Sequence, residues 1–126
     1  KKFIRTSDAR LKADIQPLSN ALDTVLRLEG KQYRLIDETV DQTDFGLIAQ
    51  DVEKVLPEIV SQTEDGYKAI AYQSLTAVLI EAMKEQQQQI TKLQRENAQL
   101  KSAMAEQMEA LLARVTMLEG VQVAAK

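Results

Sequence analysis

The stretch RTSDARLK, Arg5 to Lys12, sets a serine five residues before a lysine in a chain of 126 residues that has no histidine and no cysteine. A serine hydroxyl is a weak nucleophile and needs a base to take its proton. With the usual bases and thiolates absent, that work falls to Lys, Asp, Glu or Tyr. A free lysine has a pKa of about 10.4 and is protonated at neutral pH, so a lysine base needs burial or a like charge, here Arg10, to release its proton. Residues five apart on a regular helix point about 140° away from each other. Ser7 and Lys12 can therefore meet only if Ser7 lies outside a helix, at a cap or in extended chain. The plainer alternative is that Ser7 or Asp8 caps a helix and Lys12 is solvated.

Composition removes most other chemistry. Zero Cys and zero His exclude disulfides, thiolate nucleophiles and the commonest zinc ligand sets. The acidic run DETVDQTD brings Asp37, Asp41 and Asp44 close enough in sequence to raise a divalent-cation site, but a solvated loop explains it as well, and neither a metal nor a cofactor is expected. The formal charge of −3 gives no general attraction to nucleic acid. No apolar run approaches the roughly 20 residues of a membrane-spanning helix, and the opening KKFIRTSD lacks the apolar centre of a signal peptide. The strand-like KFIR is expected to continue from an upstream segment.

The few prolines and glycines, at Pro17, Pro57, Gly30, Gly46, Gly66 and Gly120, divide the first part of the chain into short elements. Pro17 can open a helix whose apolar positions Leu18, Ala21, Leu22, Val25 and Leu26 or Leu28 run to Gly30. KQYRLI alternates as a half-buried strand with Tyr33 and Leu35 on one face, and the acidic run after it reads as a loop. LIAQDVEKVL has helical spacing through Leu47, Ala49 or Gln50, Val52 and Val55 or Leu56 before Pro57 stops it. EIVSQTEDGYKAIAY reads as two strands around Glu64-Asp65-Gly66. Leu22, Val25, Val52 and Leu56 are assigned to the core, and Tyr72 to its edge. The predicted fold is α+β: a small head of helices and a β-hairpin, followed by one long helix.

From Tyr67 to Glu119 there is neither Gly nor Pro, and the residues are mainly helix formers. A heptad register puts Thr76, Met83, Ile90, Asn97 and Met104 at a, with Leu79, Gln86, Leu93 and Leu100 at d. A four-residue stutter through Met108 and Leu111 resets it to Val115 and Leu118. A head of about 70 residues cannot cover that stripe, so self-association is expected. Arg114 to Glu119, RVTMLE, has a trimer-favouring pattern in which the Arg stem covers the core and its head meets a neighbour's Glu. Asn97 at a pulls toward two strands. The expectation is a parallel trimeric coiled coil, a homotrimer, with the dimer left open.

Three blocks taken together, SDARLKADI at Ser7 to Ile15, GLIAQDVEKVLPEIV at Gly46 to Val60 and GYKAIAYQSL at Gly66 to Leu75, resemble the C-terminal intramolecular chaperone domain of phage tail spikes and fibres. This is the self-cleaving endosialidase type. The resemblance runs from Ser7 to about Leu79. It implies a domain order of 1–6 as the end of an upstream stalk, 7–74 as head and 75–126 as coiled-coil helix with a short tail. It implies assistance to trimerisation and folding of a β-structured stalk in the same polypeptide, then serine–lysine autoproteolysis. In that reading Ser7 is the nucleophile, Lys12 its base and Thr6–Ser7 the scissile bond. Asp8 and Arg10 would position the turn, and Gln50 would reach the dyad. The implied setting is the host bacterial cytoplasm during phage assembly, with the domain released from, or absent in, the mature virion. A trimerisation cap that never cleaves and stays attached is the competing reading.

Overall fold

A computed structural model of the chain describes residues 2, 4–36 and 42–125. The chain has two compact units, 1–85 and 86–126. The described parts of the opening KFIR, Lys2, Ile4 and Arg5, form no strand and are exposed. The first ordered turn is a 3-10 turn at Ala9–Leu11, capped by the Asp8 side chain, which accepts from the Arg10 N–H.

Helix α1 spans Ala21–Leu26 and starts four residues later than Pro17 suggested. Asn20 explains the delay. Its φ of 56° is left-handed, so a right-handed helix cannot run through it from Pro17. Strand β1, Lys31–Arg34, pairs antiparallel with β2, Thr43–Gly46, in the register Lys31 to Gly46 and Tyr33 to Asp44. The acidic run is therefore only partly loop. Thr43 and Asp44 belong to a strand that the polar composition concealed, while Asp37 and Asp41 lie outside the described residues. Leu35, expected on the Tyr33 face, falls beyond the strand and is exposed.

Helix α2 is only Ala49–Glu53; Leu47 and Ile48 precede it in extended chain, and the backbone C=O of Ile48 accepts from Asp51 and Val52. A 3-10 turn at Pro57–Ile59 leads into the hairpin of β3, Val60–Gln62, and β4, Lys68–Ile70. Its loop closes through Gly66, whose φ of 88° suits glycine, with the Gly66 N–H donating to Thr63 O and the Gln62 amide to Gly66 O. A 3-10 turn at Tyr72–Ser74 then runs into α3, Leu75–Ala124, a helix of 50 residues. The helix begins after β4, which takes up the first residues of the run without Gly or Pro. It also continues through Gly120, since one glycine costs a helix only about 1 kcal/mol.

The core lies in two adjoining clusters. Ala21, Val78 and Ala82 are buried together with Leu22, Val25 and Leu56 against them. Val52, Ile59 and Leu75 form the other with Leu28, Leu47, Leu56, Val60 and Ile70. Leu56 belongs to both. Of the four expected core residues Val52 is buried and Leu22, Val25 and Leu56 are half-buried, whereas the buried residues of α3 were not anticipated.

The β1–β2 hairpin is held to the chain before α3 by Tyr72, whose hydroxyl accepts from the Leu47 N–H at 2.9 Å. Gly46 makes that approach possible: a Cβ there would stand 2.8 Å from the Tyr72 hydroxyl and 3.2 Å from the Tyr33 ring. Burial raises the Tyr33 phenol above its usual pKa, helped by the Asp44 charge, Tyr72 and a hydrogen bond with Asp44. Gly46→Ala is expected to destabilise the head by about 1–3 kcal/mol through overpacking. Adding Tyr72→Phe, which removes the nearest atom, should recover part of that loss in denaturant melts. A double mutant no better than the simple sum of the two single changes would show that the hydroxyl is not the obstacle.

Candidate active site

Ser7 lies outside any helix or strand, immediately before the Asp8 cap, and Lys12 lies immediately after the 3-10 turn. A single 3-10 turn brings the chain round in the few residues between them, as a longer α-helix could not. The Lys12 Nζ donates to the Ser7 Oγ at 2.7 Å. Both side chains are exposed in the single chain.

Asp8 and Arg10 make the turn rigid. Asp8 Oδ1 accepts from the Arg10 backbone N–H at 2.9 Å and from Nε at 3.0 Å, and Oδ2 accepts from Nη2 at 2.8 Å. This two-pronged pair holds the Asp8 carboxyl below its usual range, chiefly through the side-chain bond and then the backbone one, and raises the Arg10 guanidinium. Arg10, the like charge nearest Lys12 in sequence, is paired with Asp8.

Arg5, Thr6, Ser7 and Lys12 line one side of an open cavity of about 760 Å³. Leu18, Leu56, Ile59, Ala77 and Val78 supply apolar walls, and Glu58, Gln73 and Ser74 the remaining polar groups. The Thr6–Ser7 bond thus lies beside a cleft whose floor is the start of α3. Gln50, expected to reach the dyad, sits exposed on α2 and is not among the cavity's lining residues. Glu58, Gln73 and Ser74 were missed because they come from segments far apart in sequence, with no spacing to connect them to Ser7. Asp44, the described member of the acidic trio, accepts from the Phe45 N–H through its carboxylate.

Residues 7–61 match the peptidase family described as the chaperone of endosialidase. The chain carries a chaperone-of-endosialidase domain. The domain's relatives include the long tail fiber protein Gp37 of Enterobacteria phage K3, 42% identical over 89 positions that cover 65% of this chain and 7% of that protein. The namesake of Enterobacteria phage M1 is 40% identical over 99 positions, covering 72% and 39%. That of Salmonella phage S16 is 32% identical over 106 positions, covering 76% and 14%. The chain therefore spans well under half the length of these relatives.

The Asp8 clamp has a defined pH window. Because Asp8's folded pKa is depressed, its contribution is complete above the ordinary carboxylate pKa of about 3.9 and is lost as pH falls through the lower folded value. The Arg10 Nε–H signal in NMR should stay protected from neutral pH to below that ordinary value. Asp8→Asn, which keeps the shape but removes the charge, should expose it throughout. Equal protection in the two proteins would mean that the clamp does not order the turn.

Proposed function

We propose that the chain is the C-terminal assembly chaperone of a phage tail fibre, acting as a homotrimer and separating itself from the upstream fibre by one cut at Thr6–Ser7. The observation that carries the cleavage reading is the 2.7 Å contact between Lys12 Nζ and Ser7 Oγ beside the bond to be cut. The family match and the fibre relatives support the assembly role.

Ser7 stands on the amine side of the scissile bond, so its hydroxyl attacks the carbonyl of the residue before it. Lys12, once it has given up its ammonium proton, takes the Oγ proton and passes it to the Ser7 nitrogen as the C–N bond breaks. The Thr6 acyl group is then an ester on Ser7 Oγ, with a free amine at Ser7. Water hydrolyses that ester, leaving a Thr6 carboxylate and restoring the serine hydroxyl. In the resting geometry Lys12 donates to Ser7, so loss of that proton comes first. Covering the exposed pair during assembly would favour the neutral amine, because desolvation penalises charge. Cleavage tied to assembly would leave the fibre kinetically trapped in its native form.

Trimerisation rests on the helix surface. On the first turns of α3 each heptad residue follows a buried or half-buried one: Thr76 after Leu75, Leu79 after Val78, Met83 after Ala82 and Gln86 after Glu85. One position is about 100° of rotation, so the head takes one face of α3 and leaves the other open. Along that open face Leu79, Met83, Ile90, Leu93, Leu100, Met104, Met108, Leu111, Val115 and Leu118 are 42–71% exposed in the single chain. Asn97, Arg114 and Glu119 lie on the same exposed helix. An exposed apolar stripe of this length calls for a partner, and its heptad spacing suits other copies of the same helix.

The exposure of Ser7 and Lys12 is what favours the second reading, a trimerisation cap that remains attached. Intact mass decides between them. The folded wild-type chain should lose Lys1 to Thr6 and begin at Ser7, while Ser7→Ala, Lys12→Ala and Lys12→Arg should stay whole, the last because a guanidinium keeps its proton. A wild type that stays whole as a verified trimer, with its natural upstream fibre attached, would leave the cap. Sedimentation equilibrium should give three times the single-chain mass at micromolar concentration. Leu100→Asp with Leu111→Asp should give one, since unpaired carboxylates cannot enter the seam.

A further inference from the structure

Helix α1 has an unusual start. It is six residues long, far below the roughly 12 at which isolated helices become even marginal. The residue at its cap, Asn20, is left-handed and makes no side-chain capping bond. Its first N–H groups still need acceptors, as at every helix start. They find them on α3: Glu85 Oε1 accepts from the Ala21 N–H at 3.2 Å and Oε2 from the Leu22 N–H at 2.8 Å, across 64 and 63 residues. One carboxylate therefore caps α1 from another element, through both of its oxygens.

What α1 rests on is also what walls the dyad cavity. Ala21 packs with Val78 and Ala82, and Leu56 lies against the same cluster. Val78 and Leu56 line the cavity beside Ser7 and Lys12, as does Leu18, three residues before α1. We propose that Glu85 is a positioning residue for the Ser7–Lys12 cavity: by capping α1 from α3 it seats α1 on Val78 and Leu56, so this wall forms only once α3 is in place. The role of the cavity in cleavage rests on the self-cleavage reading; the cap and the wall do not. A six-residue helix whose capping acceptor lies on α3 has that acceptor only when α3 is in place.

The test uses the full chain with Glu85→Ala and Glu85→Gln. In Glu85→Ala the Ala21 and Leu22 amides should exchange at least about ten-fold faster, the Leu18, Leu56 and Val78 methyl signals should move, and release of Lys1 to Thr6 should slow. Alanine is a strong helix former, so the helicity of α3 should be unchanged. Glu85→Gln keeps a single carbonyl oxygen and should protect one amide, expose the other and recover part of the cleavage rate. If Glu85→Ala loses the head altogether, the two amides of Glu85→Gln decide. Both still protected, or both exposed with unmoved cavity methyls, would overturn the proposal. A wild type that never cleaves, with amides and methyls responding as described, would sink the self-cleavage reading and leave the role of Glu85 standing.

Discussion

The head is built against the first three turns of α3, and that single constraint organises the rest. Leu75, Val78 and Ala82 are the buried residues of the helix, and each belongs to one of the two core clusters. The elements packed on them are short: helices of six and five residues and strands of three. None has enough contacts of its own to persist alone, because helix nucleation is costly and an isolated hairpin is marginal. A long, regular helix gives them a common surface. The same helix leaves its next face, one residue further round, exposed in the single chain.

The dyad is the product of a much smaller device. Ser7 and Lys12 meet because a 3-10 turn replaces a helix between them, and the Asp8–Arg10 pair holds that turn from both backbone and side chain. Exposed ion pairs usually contribute little to stability. Here the pair acts on geometry, since a turn of three residues has few other bonds to define it. The Ser7–Lys12 contact therefore sits on a locally determined loop, while the cleft beside it is assembled from α3, the Pro57 turn and the chain before α1.

Several elements depart from simple pattern reading. Asn20 and Asp14 take left-handed backbone conformations that neither residue type requires, and the delayed start of α1 follows from the first of them. Thr43 and Asp44 pair as a strand because β1 and the Tyr72 anchor place them there, although their composition is that of a loop. Gln50 is exposed on α2 and does not line the cavity. For Thr43 and Asp44, pairing across the hairpin overrode a weak local preference.

Local chemistry determined a good deal unaided. The absence of Cys and His left Ser7 and Lys12 as the notable pair, the Gly66 turn marked the β3–β4 hairpin, and the uninterrupted run of helix formers marked α3, whereas α2 stops at Glu53, before Pro57 could end it. These are properties of neighbouring residues, and a chain carries them in its order. Tertiary structure alone decided that Glu85 caps α1, that Glu58, Gln73 and Ser74 share a cavity with the dyad, and that Gly46 must be small to admit Tyr72. It also decided which face of α3 the head takes. Leu75, Val78 and Ala82 differ from Thr76, Leu79 and Met83 by one residue, and periodicity cannot tell which stripe a chain will cover with its own head and which it will leave open.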